Sequence, residues 1–489
     1  MSAAYLLLSI LIPTAAGLIA LRLPFKRYRT LCVYMETAAL ITSVFVWFFL
    51  LSPRGNAEIL YTFFPGFTIS LGIDGMGALY AGLVSLMWPV VLLYAFAYMR
   101  NEERQRSFFG FYILTYGATL GICFSANMLT LYCFFEMMSL ATLPLVAHEQ
   151  DHESLYAARK YAAYVIGGAS LAFVSVVLTS IYGNSHFFVF GGNMSAEAPL
   201  NWMRLAYLFG FLGFGTKAAV FPLHRWLPTA SCAPTPVTGL LHAVAVVNTG
   251  VFAIIRLTWY EVGAGILEGS WVQTVCLLLA TFTFLTSSSI AVQERHMKRR
   301  LAYSTVSNLS YMLFGILLMT PEGLLAGTAH MIFHSLTKIT LFLCIGSFMK
   351  DTGKAYLADI NGVGKRMPLT FSCYALSALS LMGVPLLCCF VSKWRLLLAA
   401  TEHGGAAAYI GMAGLIVSSV LCAVYELSVV TRAFFPFAGT DRYKGQKRTH
   451  EGGWLMWVPL IVFSVCQLIL GLHPTPLLNY LTRISEGLL

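Results

Sequence analysis

Apolar positions in this chain come in long runs. Stretches of about 20 residues with few charges recur at about 3–21, 31–51, 75–99, 108–124, 126–147, 156–182, 203–222, 236–258, 271–292, 301–319, 322–349, 369–394, 405–433 and 454–472. Each is long enough to cross a hydrocarbon layer of about 30 Å as a helix rising 1.5 Å per residue. The connections between the runs are too short to hold a soluble domain. The pattern predicts an all-α polytopic membrane protein of about 14 transmembrane helices, with residues 1–489 forming a single membrane domain.

Composition agrees with that picture. The 489 residues are 58% hydrophobic and 11% charged, with a mean hydropathy of +0.74, whereas a soluble domain is about one quarter charged. The net charge of +10 is not a nucleic-acid footprint, because the basic residues are scattered over short loops instead of forming one patch. They do alternate by side: 23 of the 31 Lys and Arg fall in every second connection, including Arg100, Arg104, Arg159, Arg295, Lys350, Arg442, Lys444, Lys447 and Arg448, while Arg54 belongs to the other face. The positive-inside rule makes the basic face cytoplasmic and places both termini on the non-cytoplasmic side of a prokaryotic-type inner (cytoplasmic) membrane. The first run has no basic residue before it and Arg22, Lys26, Arg27 and Arg29 after it, the reverse of a cleavable signal, so it is expected to stay. The eleven cysteines show no CxxC or Cys/His ligand spacing, and only Cys388 and Cys389 are close in sequence. Neither a disulfide framework nor a metal site is expected, and the chain should carry no cofactor of its own.

Ionisable residues inside the apolar runs change the picture most. Each costs roughly 3 kcal/mol to insert and marks a functional site with a partner to be found. Lys217 sits in the seventh run, five residues before Pro222, which lacks an amide donor and is expected to break the helix near mid-span. Glu136, in the middle of the fifth run, must take a proton or pair with a cation, and Lys217 is the obvious partner. The eighth run carries His242 about one and a half turns in and Asn248 near its middle; imidazole titrates near neutrality, which suits a proton relay. In the eleventh run His330, His334 and Lys338 are spaced four apart and share one helical face. The twelfth run repeats the opening theme, with Pro385 at a break and Lys393 following it, and Glu426 in the thirteenth is a candidate counter-ion for Lys393. Asp74 precedes the third run at an N-cap position, where a structural cap and a functional carboxylate are equally open. The basic residues of QERHMKRRLAYSTVSNLSYM read mostly as an interfacial anchor, and its serines and Asn308 as packing or water-holding groups.

Three segments carry a resemblance: FFEMMSL around Glu136, FGTKAAVFPLHRWLPTASCAPTPVTGLLH around Lys217 and His242, and HMIFHSLTKITLFL around Lys338. Over about residues 70–435 the chain resembles the antiporter-like subunits of respiratory complex I and their relatives, the membrane-bound hydrogenases, formate hydrogenlyase and the Mrp-type cation/proton antiporters. The resemblance implies two inverted five-helix repeats with broken helices, a first half-channel repeat at 108–258 and a second at 271–433. It also implies that Lys338 lies centrally on a proton route and that Lys393 is the terminal ionisable residue of the second half-channel. His242, Asn248 and the HxxxHxxxK helix look most like the distal subunit of complex I, while the end of the chain soon after the fourteenth run points to a shorter, hydrogenase-linked or Mrp-type relative.

The expected function is therefore proton translocation, with sodium/proton exchange as a variant, by a subunit of a redox-driven complex of the complex I or hydrogenase type. Glu136 would tune Lys217, protons would pass by His242, His330, His334 and Lys338, and Lys393 would release them, with Glu426 as counter-ion. The expected partners are further antiporter-like subunits and a peripheral redox arm that holds any iron–sulfur or nickel–iron centres. A Mrp-type sodium/proton antiporter, a proton-conducting subunit of an inorganic-carbon uptake complex and a purely structural membrane anchor are the alternatives.

Overall fold

The computed structural model describes residues 3–52, 55–64, 67–437, 439–443, 445 and 451–489. Of the loop cations above, Arg54, Lys444, Lys447 and Arg448 lie outside the described residues. The chain opens with α1 (Ala3–Arg22) and α2 (Tyr28–Leu51), followed by a hairpin that the apolar runs did not foretell, β1 (Glu58–Phe64) antiparallel to β2 (Phe67–Leu71). Then come α3 (Gly75–Tyr98), α4 (Gln105–Cys123), α5 (Met128–Val146), α6 (His152–Tyr182), α7 (Leu200–Gly215), α8 (Trp226–Ala230), α9 (Thr235–Ala243) and α10 (Val246–Ile255). A π-helical turn, Arg256–Val262, leads to α11 (Ala264–Leu267), α12 (Trp271–Gln293), α13 (Met297–Leu317) and α14 (Pro321–Thr352). The last third comprises α15 (Val363–Arg366), α16 (Pro368–Met382), α17 (Cys388–His403), α18 (Ala406–Phe434), α19 (Trp454–Leu472) and α20 (Thr475–Ser485).

Among the described residues nine helices are long and apolar enough to cross a membrane. The other predicted spans are α4 and α13, which are more polar, and the seventh, eighth and twelfth, which are interrupted. The axis of the molecule is α14. Its apolar window is wholly buried, and α3, α9, α13, α16, α17, α19 and α20 all pack on it. At 1.5 Å per residue its 32 residues extend about 48 Å, which places Lys338 near the middle and seals it from lipid.

The three interruptions are the features that position the site. In the seventh run the helix stops at Gly215, ahead of Lys217, and not at Pro222 as the sequence suggested. Pro222 rules out α-helix at the residues before it, and the released groups find other partners: Trp226 Nε1 donates to Thr216 O at 2.8 Å, and Phe221 N to Thr283 Oγ1 at 3.1 Å. Lys217 thus lies in the break. The eighth run is also broken, at Val244–Ala245, which no proline or glycine announces. Tyr80 Oη donates to Val244 O at 2.8 Å and Ala245 O at 3.2 Å, and Asn248 Nδ2 to Ala243 O at 2.8 Å. The twelfth run breaks between Met382 and Cys388, with Gly383 at φ +92°, as Pro385 foretold.

Asp74 resolves as both a cap and a charge partner. Its carboxylate accepts from Gly77 N at 2.8 Å at the start of α3 and holds the Arg256 guanidinium through both oxygens, one pair at 2.7 Å. Arg256 is 2% exposed and Asp74 32%, with the rings of Phe188, Phe252 and Tyr260 around the cation. Breaking such a pair from one side strands a buried charge. Asp74→Asn, which keeps the cap, is expected to cost roughly 3 kcal/mol, and Asp74→Asn with Arg256→Met to recover much of it, as read by thermal unfolding in detergent.

Candidate functional site

The eight ionisable residues singled out inside the apolar runs lie on α5, in the break after α7, and on α9, α14, α17 and α18, and neither glutamate forms an ion pair with the lysine named for it. The Lys217 ammonium donates to the Phe135 carbonyl on α5 and stands 3.4 Å from the centroid of the Phe135 ring. Glu136, the next residue, is half-buried, and its Oε1 has no partner. The charges of Glu136 and Lys217 interact, yet the described residues show no ion pair between them within 4 Å. Consecutive residues on α5 diverge by about 100°, so a lysine seated over Phe135 misses the neighbouring carboxylate.

His242 is in the last turn of α9, with Nε2 3.4 Å from Ser231 Oγ, Nδ1 unpaired, and its ring against Phe342 of α14. Its imidazole senses the charges of Lys338 and Lys298. The backbone of Lys217 instead lies against Gly250 of α10, where an added Cβ would collide with it. Asn248, between those two points on α10, donates to Ser335 Oγ of α14 at 2.7 Å and leaves its own Oδ1 unpaired.

Along α14 the predicted triad is real and fully buried. His330 is held at both nitrogens, Nδ1 2.8 Å from Ser392 Oγ and Nε2 3.1 Å from Asn308 Oδ1. His334 has no partner at either nitrogen, and its ring centroid is 6.1 Å from that of His330. Lys338 Nζ donates to Ser304 Oγ at 2.8 Å. Beyond His330, whose imidazole senses the charge of Lys393, the Lys393 ammonium donates to Leu381 O at 2.8 Å and Met382 O at 3.3 Å. Those are the carbonyls that the break after α16 releases, and a cation there also meets the negative end of the helix dipole.

Glu426 is not the counter-ion of Lys393. It accepts from Tyr374 Oη at 2.8 Å, and its charge acts on Lys338 and Arg300. Helix order suggested the lysine of the preceding run, but the carboxylate is taken up by Tyr374 of α16. Two loop cations read as anchors are buried as well. Lys298 is 4% exposed and donates to Ala233 O at 2.9 Å, beside the start of α9, and Arg300 is 3% exposed. Sequence reasoning also missed Tyr80 and Tyr425, because a tyrosine inside an apolar run reads as packing until its hydroxyl is seen to have a task. Among the described residues no group of three or more His, Cys, Asp or Glu is gathered to hold a metal.

Glu136 Oε1, His242 Nδ1, Asn248 Oδ1, both ring nitrogens of His334 and Glu426 Oε1 are buried without a hydrogen-bond partner. Each would cost about 1–3 kcal/mol in a dry interior, a cost that water at these atoms would relieve. Four of these five side chains titrate, and with the neighbouring hydroxyls they can exchange protons.

The chain matches the family model described as NADH:quinone oxidoreductase/Mrp antiporter, TM, over residues 125–421. It is 31% identical over 432 residues to NADH-quinone oxidoreductase subunit N of Desulforudis audaxviator, covering 83% of each chain. Among solved structures it is similar to a chain of the membrane-bound sulfane sulfur reductase, an archaeal respiratory membrane complex, with a TM-score of 0.85, 23% identity and 99% and 97% of the two chains covered. It is also similar to a chain of the Mrp complex from Dietzia sp. DQ12-45-1b, with a TM-score of 0.82, 22% identity and 100% and 98% covered. At those identities the two likenesses establish the fold.

The break in the eighth run yields a direct expectation. Tyr80→Phe leaves Val244 O without its donor, while Ala245 O keeps the Thr249 amide, and should lower stability by about 1–3 kcal/mol, seen as a fall in unfolding temperature in detergent.

Proposed function

Since this chain belongs to the NADH:quinone oxidoreductase/Mrp antiporter transmembrane family, we propose that it is the proton-translocating, antiporter-like subunit of a redox-driven membrane complex. It is a multi-pass integral membrane protein. The observation that carries the reading is the buried course of titratable groups through α14, in which Lys338, His334 and His330 are stacked at the centre and Lys393 sits at a helix break.

In this reading Lys217 takes a proton under the influence of Glu136, whose charge reaches it without locking it in an ion pair. An ion pair in contact would hold the lysine charged; a carboxylate at a distance biases it and lets it release. The proton then moves by water and Asn248 to His242 and Lys338, and by His334 and His330 to Lys393. Lys393, resting on two carbonyls, is the release group. Coupled groups of this kind titrate as a set. Residues 108–258 and 271–433 act as the two half-channels. Redox centres lie in partner subunits, among them a peripheral arm and further antiporter-like chains, and the membrane is a prokaryotic cytoplasmic membrane with the basic loops inside and both termini outside.

The test is substrate-driven proton uptake by inverted vesicles containing the assembled complex. Lys217→Ala, Glu136→Gln and Lys338→Ala are each expected to reduce pumping by about tenfold or more, the equivalent of about 1.4 kcal/mol on the rate-limiting step. Unimpaired pumping in all three would sink the reading.

A further inference from the structure

Lys338 has a hydrogen-bonded neighbour that leads away from the course just described. Its ammonium donates to Ser304 Oγ, and that hydroxyl stands 2.7 Å from Tyr425 Oη. Ser304 is in the second turn of α13 and Tyr425 near the C-terminal end of α18. The pair therefore steps toward the start of α13, where Arg295 in the connection and Lys298 and Arg299 in the first turn mark the basic-loop face.

The next group in that direction is Arg300, one turn before Ser304 on the same helix. Its guanidinium is buried and pinned by three acceptors: Nη1 donates to Glu294 O at 3.0 Å, and Nη2 to Tyr425 O at 2.8 Å and Ser428 Oγ at 2.7 Å. It lies 5.9 Å from the Tyr425 ring centroid. Glu426, held by Tyr374, is the carboxylate whose charge acts on both Lys338 and Arg300, and it forms an ion pair with neither. A guanidinium does not give up its proton in a protein. Arg300 therefore cannot pass protons; it can only repel them.

A central lysine with hydrogen-bonded routes to both faces would let protons run back down the gradient. We propose that Arg300 is a fixed positive plug that closes a branch from Lys338 through Ser304 and Tyr425 to the basic-loop face, with Glu426 as the counter-charge that allows both cations to be buried together. The branch points opposite to Lys393, so closing it makes passage through Lys338 directional. The inference rests on the reading of Lys338 as a proton site.

The experiment uses the whole complex in proteoliposomes with a pH dye in the lumen, a potassium diffusion potential set by valinomycin, and no redox substrate. Arg300→Ala is expected to raise passive proton entry about tenfold or more. Arg300→Lys, which keeps a charge there, should stay tight, and Arg300→Ala combined with Lys338→Met should return to tightness. An Arg300→Ala complex as tight as the wild type, or a leak that survives Lys338→Met, would overturn the proposal. Should Arg300→Ala fail to assemble, Ser428→Ala removes an anchor at the half-buried end; a rise in leak supports the plug, and none refutes it. Failure of the underlying reading shows separately, as normal substrate-driven pumping by Lys338→Met alone.

Discussion

A buried ammonium in a membrane must find oxygen atoms, and the backbone of an intact helix offers few, because its carbonyls are already engaged. The cost of leaving it without them is several kcal/mol, comparable to the whole stability of many domains. This chain meets the demand by breaking helices or by borrowing carbonyls from neighbours. Lys393 rests on the two carbonyls freed after α16, Lys298 on Ala233 O just ahead of α9, and Lys217 on Phe135 O from a break of its own. Lys338, in an unbroken helix, has a serine hydroxyl instead. Irregular backbone at membrane depth is tolerated only inside protein or along water, so the breaks, the lysines and the central position of α14 depend on one another.

Much of this was legible in the sequence because charge in an apolar run is so costly that its position is informative. Glu136, Lys217, the α14 triad and Lys393 were found in that way, and Pro385 marked its break. What escaped has a common cause: the sequence gives faces and intervals along a helix but not which neighbour is met. Glu426 was assigned to Lys393 and belongs near Lys338. Glu136 was named as the partner of Lys217 with their distance left open, and the lysine sits over Phe135 with the carboxylate's charge reaching it but no ion pair formed. Lys298 and Arg300 were hidden because cations at loop ends usually snorkel to water. The break at Val244–Ala245 was hidden because its cause, the Tyr80 hydroxyl, is 164 residues away.

The doubled pattern of a broken helix with a lysine is not a strict copy. Lys217 sits inside its break and reaches another helix, while Lys393 follows its break and reaches back to it. The first lysine is thus tied to α5 and the second to its own span. A carboxylate stands near but not against a lysine on each side, Glu136 for Lys217 and Glu426 for Lys338. Charge at a distance biases a proton site without freezing it, which is what a relay needs from its acids and a static ion pair does not supply.

Lys338 works by losing and regaining its proton, not by being positive. The most direct test compares Lys338→Arg with Lys338→Met in substrate-driven proton uptake by vesicles containing the assembled complex, since arginine keeps the charge and cannot release it. Arginine is expected to abolish uptake as completely as methionine. Uptake retained with arginine and lost with methionine would contradict it and leave Lys338 a structural charge.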